Sequence, residues 1–327
     1  MIIKSLKGFH PTNLILTVFI AIAFWMKFFT GANPGIIAEQ GSMPFYNAIT
    51  NFFLNIDSPF TAKLVSFLLI LLQAFLIVTI NNHFKLLGYR SYLPALIFII
   101  ITVNFTQHQQ LQAIHFANIF FLIAWIRLNQ AYGKQKALSY YFDASFLIGV
   151  ASLFYFNMIF LTIILLIHLL LTRSINIKEF TVSFFGLAVV WYLFLAFYYI
   201  FYDETYDILA VFSFEPGFID FMSLSISTKI TSGVLLFITI MAIMASLKYY
   251  SSFNIYIRSN LKMFFYMFVV GFLLILLTNS SNELIYFIAI PASLFISLFF
   301  IKLKSKLHGN ILVIILFIAT IANLFFS

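Results

Sequence analysis

The chain has 327 residues, of which 63% are hydrophobic and only 9% are charged, and its formal net charge is +8. Soluble domains carry about 25% charged residues, so this composition excludes a water-soluble fold and predicts an integral membrane protein in contact with membrane lipid. The sequence contains no cysteine, which excludes disulfides, thiolate nucleophiles and cysteine metal sites. No nucleic-acid partner is expected.

Apolar runs separated by polar segments predict an all-α fold, a polytopic transmembrane helix bundle with about eleven spans. In chain order the runs cover residues 13–29, 61–80, 92–105, 113–126, 142–155, 158–171, 180–201, 232–245, 263–277, 284–301 and 311–326. Several runs are shorter than the roughly 17 residues that a span needs. Their ends are expected to lie in the membrane interface, or the runs to pair as broken helices inside the bundle.

The distribution of lysine and arginine predicts the orientation of these spans. Cytoplasmic flanks of membrane proteins are enriched in cationic residues. With a cytoplasmic N-terminus and eleven spans, all 18 lysines and arginines except Lys27, Lys63 and Lys229 lie on the cytoplasmic side. This pattern predicts a multi-pass protein of the bacterial inner membrane, with a periplasmic C-terminus.

Two external loops are long, at residues 30–60 and 203–231, and long loops commonly hold binding or catalytic residues. In the first loop, the helical spacing of Phe45, Ile49, Phe52 and Phe53 predicts an amphipathic helix in the outer interface. In the second loop, phenylalanines alternate with acidic residues around a Glu-Pro-Gly turn, which predicts another interfacial segment.

Three carboxylates in these loops are candidate catalytic residues. Glu39 lies about ten residues beyond the first span, where it could act as a general base or hold a divalent cation against a phosphate. Asp203 and Glu204 form an acidic pair directly after a predicted helix. A plain solvated loop is the alternative interpretation for each of them.

The turn between the third and fourth spans is unusually polar and contains His108 and His115. Seven residues separate the two histidines, so they lie near one face if the stretch is helical, and they could bind a phosphate. The alternative is a glutamine-rich, solvated helix end, and without a third ligand we predict no metal site. His168, the one titratable residue deep in an apolar run, is interpreted as an interfacial or helix-bonded histidine.

The three external lysines are candidate substrate-binding residues. Lys27, Lys63 and Lys229 lie where a lipid phosphate at the outer interface would be a natural partner. Snorkelling of the long side chains toward the headgroups is the alternative explanation for their position.

Four features of residues 30–178 occur in a characteristic order. They are a first span followed by a long external loop with an interfacial helix, a Ser58-Pro-Phe entry to a long second span ending near Arg90, a pair of short helices around the polar turn at 107–112, and a hairpin from Gly149 that returns through 161–171. In this layout the segment resembles the N-terminal half of GT-C-type glycosyltransferases. The whole chain also resembles an uncharacterised multi-pass inner-membrane family of Bacteroidota.

The GT-C resemblance implies an integral membrane enzyme that takes a sugar from a polyprenyl-phosphate donor on the outer side. It implies one domain, 1–327, with a GT-C-like half at 1–178 and further spans at 179–327. Glu39 would be the base or the acid that positions a divalent cation, although that family has its acid near the end of the first span. Asp203, Glu204, His108 and His115 would line the acceptor or phosphate site.

Two other functions remain open. One is a non-catalytic membrane subunit that packs against partner proteins through its apolar faces. The other is a transporter of lipid-linked material, which would need a cavity open to both sides.

Overall fold

The structure, a computed structural model, describes residues 8–31, 35–36, 43–56, 58–105, 109–172, 177–202, 225–277, 281–303 and 306–326. Within these residues the chain forms twelve α-helices and no β-strand, which confirms the predicted all-α fold. The helices are α1 (Pro11–Thr30), α2 (Pro44–Ile56), α3 (Pro59–Phe84), α4 (Leu93–Val103), α5 (Ala113–Ala131), α6 (Leu138–Phe154), α7 (Thr162–Thr172), α8 (Ile177–Tyr202), α9 (Ile226–Tyr249), α10 (Ile255–Leu277), α11 (Ser281–Lys302) and α12 (Lys306–Phe326). Short 3₁₀ turns precede α7 and follow α9.

Seven of the described helices, α1, α3 and α8 to α12, are long and apolar enough to cross a membrane. The other four predicted spans correspond to α4, α5, α6 and α7. Helix α4 has 11 residues and would reach about 16 Å, half the hydrocarbon thickness of a bilayer. Helix α5 carries polar residues such as His115 and Arg127 among its apolar ones. The count of eleven spans therefore stays a prediction.

The core of the bundle lies around α4 and α11. Every residue of α4 is buried, and 83% of the apolar window of α11 is buried, the largest fraction among the seven long helices. Helix α11 packs against α4, α9 and α10. Helix α4 is enclosed by longer helices, so its length need not match the bilayer.

The helices alternate in direction, so their ends collect at two sides of the bundle. At the first side, which we call the long-loop end, α1 finishes and α3 begins, and Asn104 after α4 donates a hydrogen bond to Thr320 of α12. At the other side, the basic end, α4 begins and α11 finishes. The described cations of the basic end are Lys85, Arg90, Arg127, Lys134, Lys136, Lys178, Lys248, Arg258, Lys262 and Lys302.

Helix α2 is the predicted amphipathic helix of the first long loop. Tyr46 and Thr50 are its buried residues, whereas Phe45, Phe52 and Ile56, which share one helical face, are exposed. One face thus packs on the protein and an apolar face is left outward, which suits a helix at the membrane interface. The interfacial segment predicted in the second long loop falls within residues 203–224, outside the described residues.

Candidate functional site

Helix α3 presents three buried polar side chains on one face. Lys63, Ser66 and Gln73 are separated by three and seven residues, and this spacing aligns them on the side that faces α5. Gln73 and Ser66 have no exposed surface, although both lie in a long apolar helix. Such side chains are costly in a membrane helix unless they meet polar partners.

The partners come from the beginning of α5. Gln112, His115 and Asn118 follow one another at intervals of three residues and are all buried. The Ser66 hydroxyl lies 3.3 Å from Nδ1 of His115. Gln73 Nε2 donates a hydrogen bond to the backbone oxygen of His115 at 2.9 Å. These contacts join α3 and α5 through polar groups.

Helix α11 completes the cluster with a buried tyrosine. The ring centroids of Tyr286 and His115 are 4.8 Å apart. Phe98 of α4 packs edge-on against Tyr286, with centroids 5.6 Å apart. We call Ser66, Gln73, Gln112, His115, Asn118 and Tyr286 the polar cluster.

The interior becomes apolar directly below the polar cluster. On all three helices the side chain four residues further along, one turn closer to the middle of the bundle, is hydrophobic. These residues are Ile77, Leu122 and Ile290, which line a small apolar pocket together with Ile80, Trp125 and Leu294. The polar cluster is therefore confined to the long-loop end.

Backbone contacts of Leu111 cover the cluster at its outer side. The Leu111 amide donates a hydrogen bond to the oxygen of Gly35 at 2.8 Å, and the Tyr46 hydroxyl donates to the oxygen of Leu111 at 2.8 Å. Gly35 has a φ of +81°, a conformation that favours glycine. The first long loop and α2 are thus attached to the start of α5, one turn before His115.

Several amide atoms of the cluster are buried without a hydrogen-bond partner. Both side-chain amide atoms of Asn118 are in this state, as are Oε1 of Gln73 and Oε1 of Gln112. An unsatisfied buried polar atom costs about 1–3 kcal/mol. The cluster therefore has hydrogen-bonding capacity that the described protein atoms leave unused.

A family model described as a family of unknown function, DUF6427, matches residues 43–327. The chain belongs to the DUF6427 family. The match includes α2 to α12 and every member of the polar cluster, and the expectation of a family without an assigned function is confirmed. No curated protein and no solved structure matches this DUF6427 chain.

The structure brings together two of the predicted site residues of the DUF6427 chain. His115 lies in the polar cluster, and Lys63 lies one turn from Ser66 on α3. Lys63 Nζ donates to the oxygen of Gly31 at 2.6 Å and lies 5.1 Å from the centre of the Phe28 ring.

The remaining predicted residues are elsewhere. Lys27 Nζ donates to the backbone oxygen of Leu324, near the end of α12. Lys229 is half-buried in the first turn of α9. Glu39, His108, Asp203 and Glu204 lie outside the described residues of the chain.

Sequence reasoning missed Ser66, Gln73, Asn118, Tyr286 and Glu283, and it identified Gln112 only as part of the polar turn. The available signal was an amide side chain inside an apolar run, as at Gln73 and Asn118. Glu283 is 8% exposed in the first turn of α11, one turn before Tyr286, so a buried carboxylate lies beside the cluster. Among the described residues, no group of three or more histidines, aspartates or glutamates could hold a metal ion.

His168 takes a structural position at the basic end. Its Nδ1 lies 3.2 Å from the Tyr141 hydroxyl, and its backbone oxygen accepts a hydrogen bond from Thr172 at 2.7 Å. It contacts α6 from within α7, away from the polar cluster.

Proposed function

We propose that this DUF6427 protein is a membrane glycosyltransferase that takes a sugar from a polyprenyl-phosphate donor at the long-loop end, in envelope glycan assembly. The observation that supports the proposal is the pairing of Leu111 with Gly35. It joins the loop after the first span, the polar turn before α5 and the buried polar cluster in one place. These are parts of the segment that resembles GT-C-type enzymes.

The proposed reaction needs a base and a leaving phosphate. An acceptor hydroxyl oxygen forms a bond to the anomeric carbon, the bond from that carbon to the phosphate oxygen breaks, and polyprenyl phosphate leaves with the electron pair. A carboxylate takes the hydroxyl proton, a role suited to its chemistry. We assign this role to Glu39, alone or with a divalent cation on the phosphate, and place Asp203, Glu204 and His108 on the acceptor side.

Charges at the long-loop end suit an anionic donor. Lys63 lies one turn before Ser66 on α3, and Ser66 contacts His115 on the facing helix α5. Lys27 and Lys229 belong to the same end of the bundle. Cations and imidazoles there favour a lipid phosphate over a neutral headgroup. The concentration of the other described cations at the opposite, basic end supports a periplasmic site in the inner membrane.

The second candidate function is a non-catalytic membrane subunit. The observation that favours it is the wide apolar surface of α8, where Tyr192, Leu193, Ile200 and Phe201 are all more than half exposed. Such a surface suits a partner helix as well as lipid. Transport of lipid-linked material is a third candidate.

The functions are separated by complementation of a strain that lacks the gene. Glu39→Gln, Asp203→Asn and Glu283→Gln are introduced one at a time, and envelope glycans are scored at matched protein abundance in the membrane. Asp143→Asn is the control, because this exposed acid pairs with Arg127 at the basic end. We expect loss of glycan with Glu39→Gln and full glycan with the control.

The opposite result would favour the non-catalytic subunit. If every carboxylate variant restores wild-type glycan, the base is not among these residues and the transferase proposal fails. Loss of glycan together with loss of a co-purifying membrane protein would assign the phenotype to assembly.

A further inference from the structure

We propose that the polar cluster binds the hydroxyl groups of a neutral sugar, through the amide side chains of Gln73, Gln112 and Asn118. This inference rests on the proposed function and specifies which part of the donor the site recognises. Asn118 is completely buried, and neither of its amide atoms has a hydrogen-bond partner among the described atoms. The ligand must therefore offer both a donor and an acceptor at one point.

The orientation of Asn118 follows from its own helix. Leu122 and Trp125 lie four and seven residues later, on the same helical face, and both line the apolar pocket together with Ile77 of α3. Asn118 therefore lies on the face of α5 that borders this pocket, and Gln73 lies one turn before Ile77 on α3. The two amides thus lie one turn from the same pocket, on the facing helices α3 and α5.

The unused atoms discriminate between ligand classes. A phosphate accepts hydrogen bonds, so it would satisfy the nitrogen of Asn118 but not the oxygens of Asn118, Gln73 and Gln112. A metal cation would satisfy the oxygens and leave the nitrogen unpaired. A hydroxyl group donates to one amide and accepts from another, so adjacent hydroxyls of a sugar ring satisfy both kinds of atom.

The walls of the cluster suit a sugar as well. Rings of His115 and Tyr286 lie side by side, and Phe98 packs behind Tyr286. Binding sites for small molecules combine aromatic and apolar walls with a few directed polar groups. The amides are covered by the contacts of Leu111 with Gly35 and Tyr46, so a sugar reaches them when Leu111 separates from one of these residues.

The test uses the full chain, purified and placed in lipid nanodiscs. The probes are a polyprenyl monophosphate that carries one hexose and the same polyprenyl monophosphate without sugar. The variants are Asn118→Leu and, as a second change in another element of the cluster, Gln112→Met. The control is Asn260→Leu, because Asn260 of α10 is also a buried asparagine, and its helix position lies toward the basic end.

Affinity for both probes and the midpoint of thermal unfolding are measured for each protein. We expect the wild type to prefer the sugar-bearing probe, and each cluster variant to bind it about 10- to 100-fold more weakly while its affinity for the sugar-free probe is unchanged. The control keeps the preference. Because an unsatisfied amide is removed, the unfolding midpoints of the cluster variants should not fall in the absence of probe.

Two results would overturn the inference. One is a wild type that binds both probes equally. The other is a decrease in the unfolding midpoints of both cluster variants while the preference for the sugar-bearing probe stays intact. That result would mean that the amides hydrogen-bond to structural water and not to a sugar. If the wild type prefers the sugar-bearing probe but transfers no sugar to any acceptor, the proposed function fails and the sugar site stands.

Discussion

Lys63 Nζ donates a hydrogen bond to the backbone oxygen of Gly31 at 2.6 Å, directly after the last residue of α1. The last carbonyl groups of a helix lack partners within the helix and carry partial negative charge, so a cation there is stabilising. Lys27 makes the same kind of contact with Leu324, near the end of α12. Two of the three lysines that break the positive-inside pattern therefore bind backbone oxygens inside the protein. Snorkelling of these side chains toward lipid headgroups would not require such partners.

We expect Lys63→Met to lower the free energy of unfolding by about 1–3 kcal/mol, because a buried hydrogen bond to a charged group and a helix-end interaction are lost together. Thermal and denaturant unfolding in a fixed detergent would measure the change. Lys248→Met is the matched control, because Lys248 is exposed in the last turn of α9. Equal effects of the two substitutions would show that the contact with Gly31 contributes nothing.

The contact between α6 and α8 depends on Gly186. A Cβ atom at this position would overlap Ser145 Oγ and lie 2.7 Å from the backbone oxygen of Phe142. We therefore expect Gly186→Ala to destabilise the protein by about 1–3 kcal/mol, although alanine is the better helix former by about 0.8–1.0 kcal/mol.

Gly233 of α9 provides the control for that substitution. A Cβ atom added there meets nothing within 4 Å, so Gly233→Ala should raise stability through helix propensity alone, by up to about 1 kcal/mol. The two unfolding midpoints should move in opposite directions. A stabilised Gly186→Ala protein would mean that α6 and α8 separate at little cost.

The helices could be predicted from sequence because hydrophobicity is a local signal. The first apolar run, 13–29, corresponds to α1, Pro11–Thr30. The second, 61–80, is extended to Phe84 in α3, since Asn81 and Asn82 use their side chains to accept hydrogen bonds from the following loop. Apolar composition alone does not report such a polar helix end.

The polar cluster could not be predicted from sequence. Its contacts join Ser66, His115 and Tyr286, which belong to three different helices and are far apart along the chain. His115 was a candidate because of the polar turn that precedes it. Gln73 and Asn118 each appear as one amide in an apolar run, and their juxtaposition depends on how the helices pack. The hydropathy of a membrane helix does not show which of its faces packs against another helix.

The orientation of the bundle can be measured with single cysteines, since the chain has none of its own. Asn55→Cys places a thiol on α2 at the long-loop end, and Lys136→Cys places one at the basic end, both at exposed positions. With an impermeant maleimide, we expect labelling of Asn55→Cys in intact spheroplasts and of Lys136→Cys only after lysis, because cationic loops stay in the cytoplasm. The reverse pattern would place the long-loop end in the cytoplasm and contradict the proposed site.

At the basic end, Lys302 links α11 to the segment before α4. Its ammonium donates to the Tyr89 hydroxyl at 2.9 Å and lies 4.9 Å from the centre of the Phe253 ring and 5.8 Å from that of Tyr249. A double-mutant cycle of Lys302→Met and Tyr89→Phe isolates the hydroxyl contact. We expect a coupling energy of about 0.5–1.5 kcal/mol from unfolding measurements. Additive effects would show that the aromatic rings, and not the hydroxyl, hold the lysine.

Gly35 connects the first loop to the polar cluster, and its substitution tests whether this connection matters for function. Its φ of +81° is strained for alanine, and a Cβ atom would lie 2.6 Å from the backbone oxygen of Pro59. Gly133 has a φ of +72° but nothing within 4 Å of an added Cβ, so Gly133→Ala shares the backbone strain, about 1–2 kcal/mol, without the overlap.

We expect Gly35→Ala to abolish glycan formation in the complementation assay and Gly133→Ala to preserve it, at matched protein abundance in the membrane. The reason is that relief of the overlap with Pro59 must move Gly35, whose oxygen accepts the hydrogen bond from Leu111 beside His115. Unfolding midpoints of both proteins would separate this effect from a general loss of stability. Wild-type glycan from a folded Gly35→Ala protein would mean that the first loop acts independently of the polar cluster, and the basis for placing the donor site there would be lost.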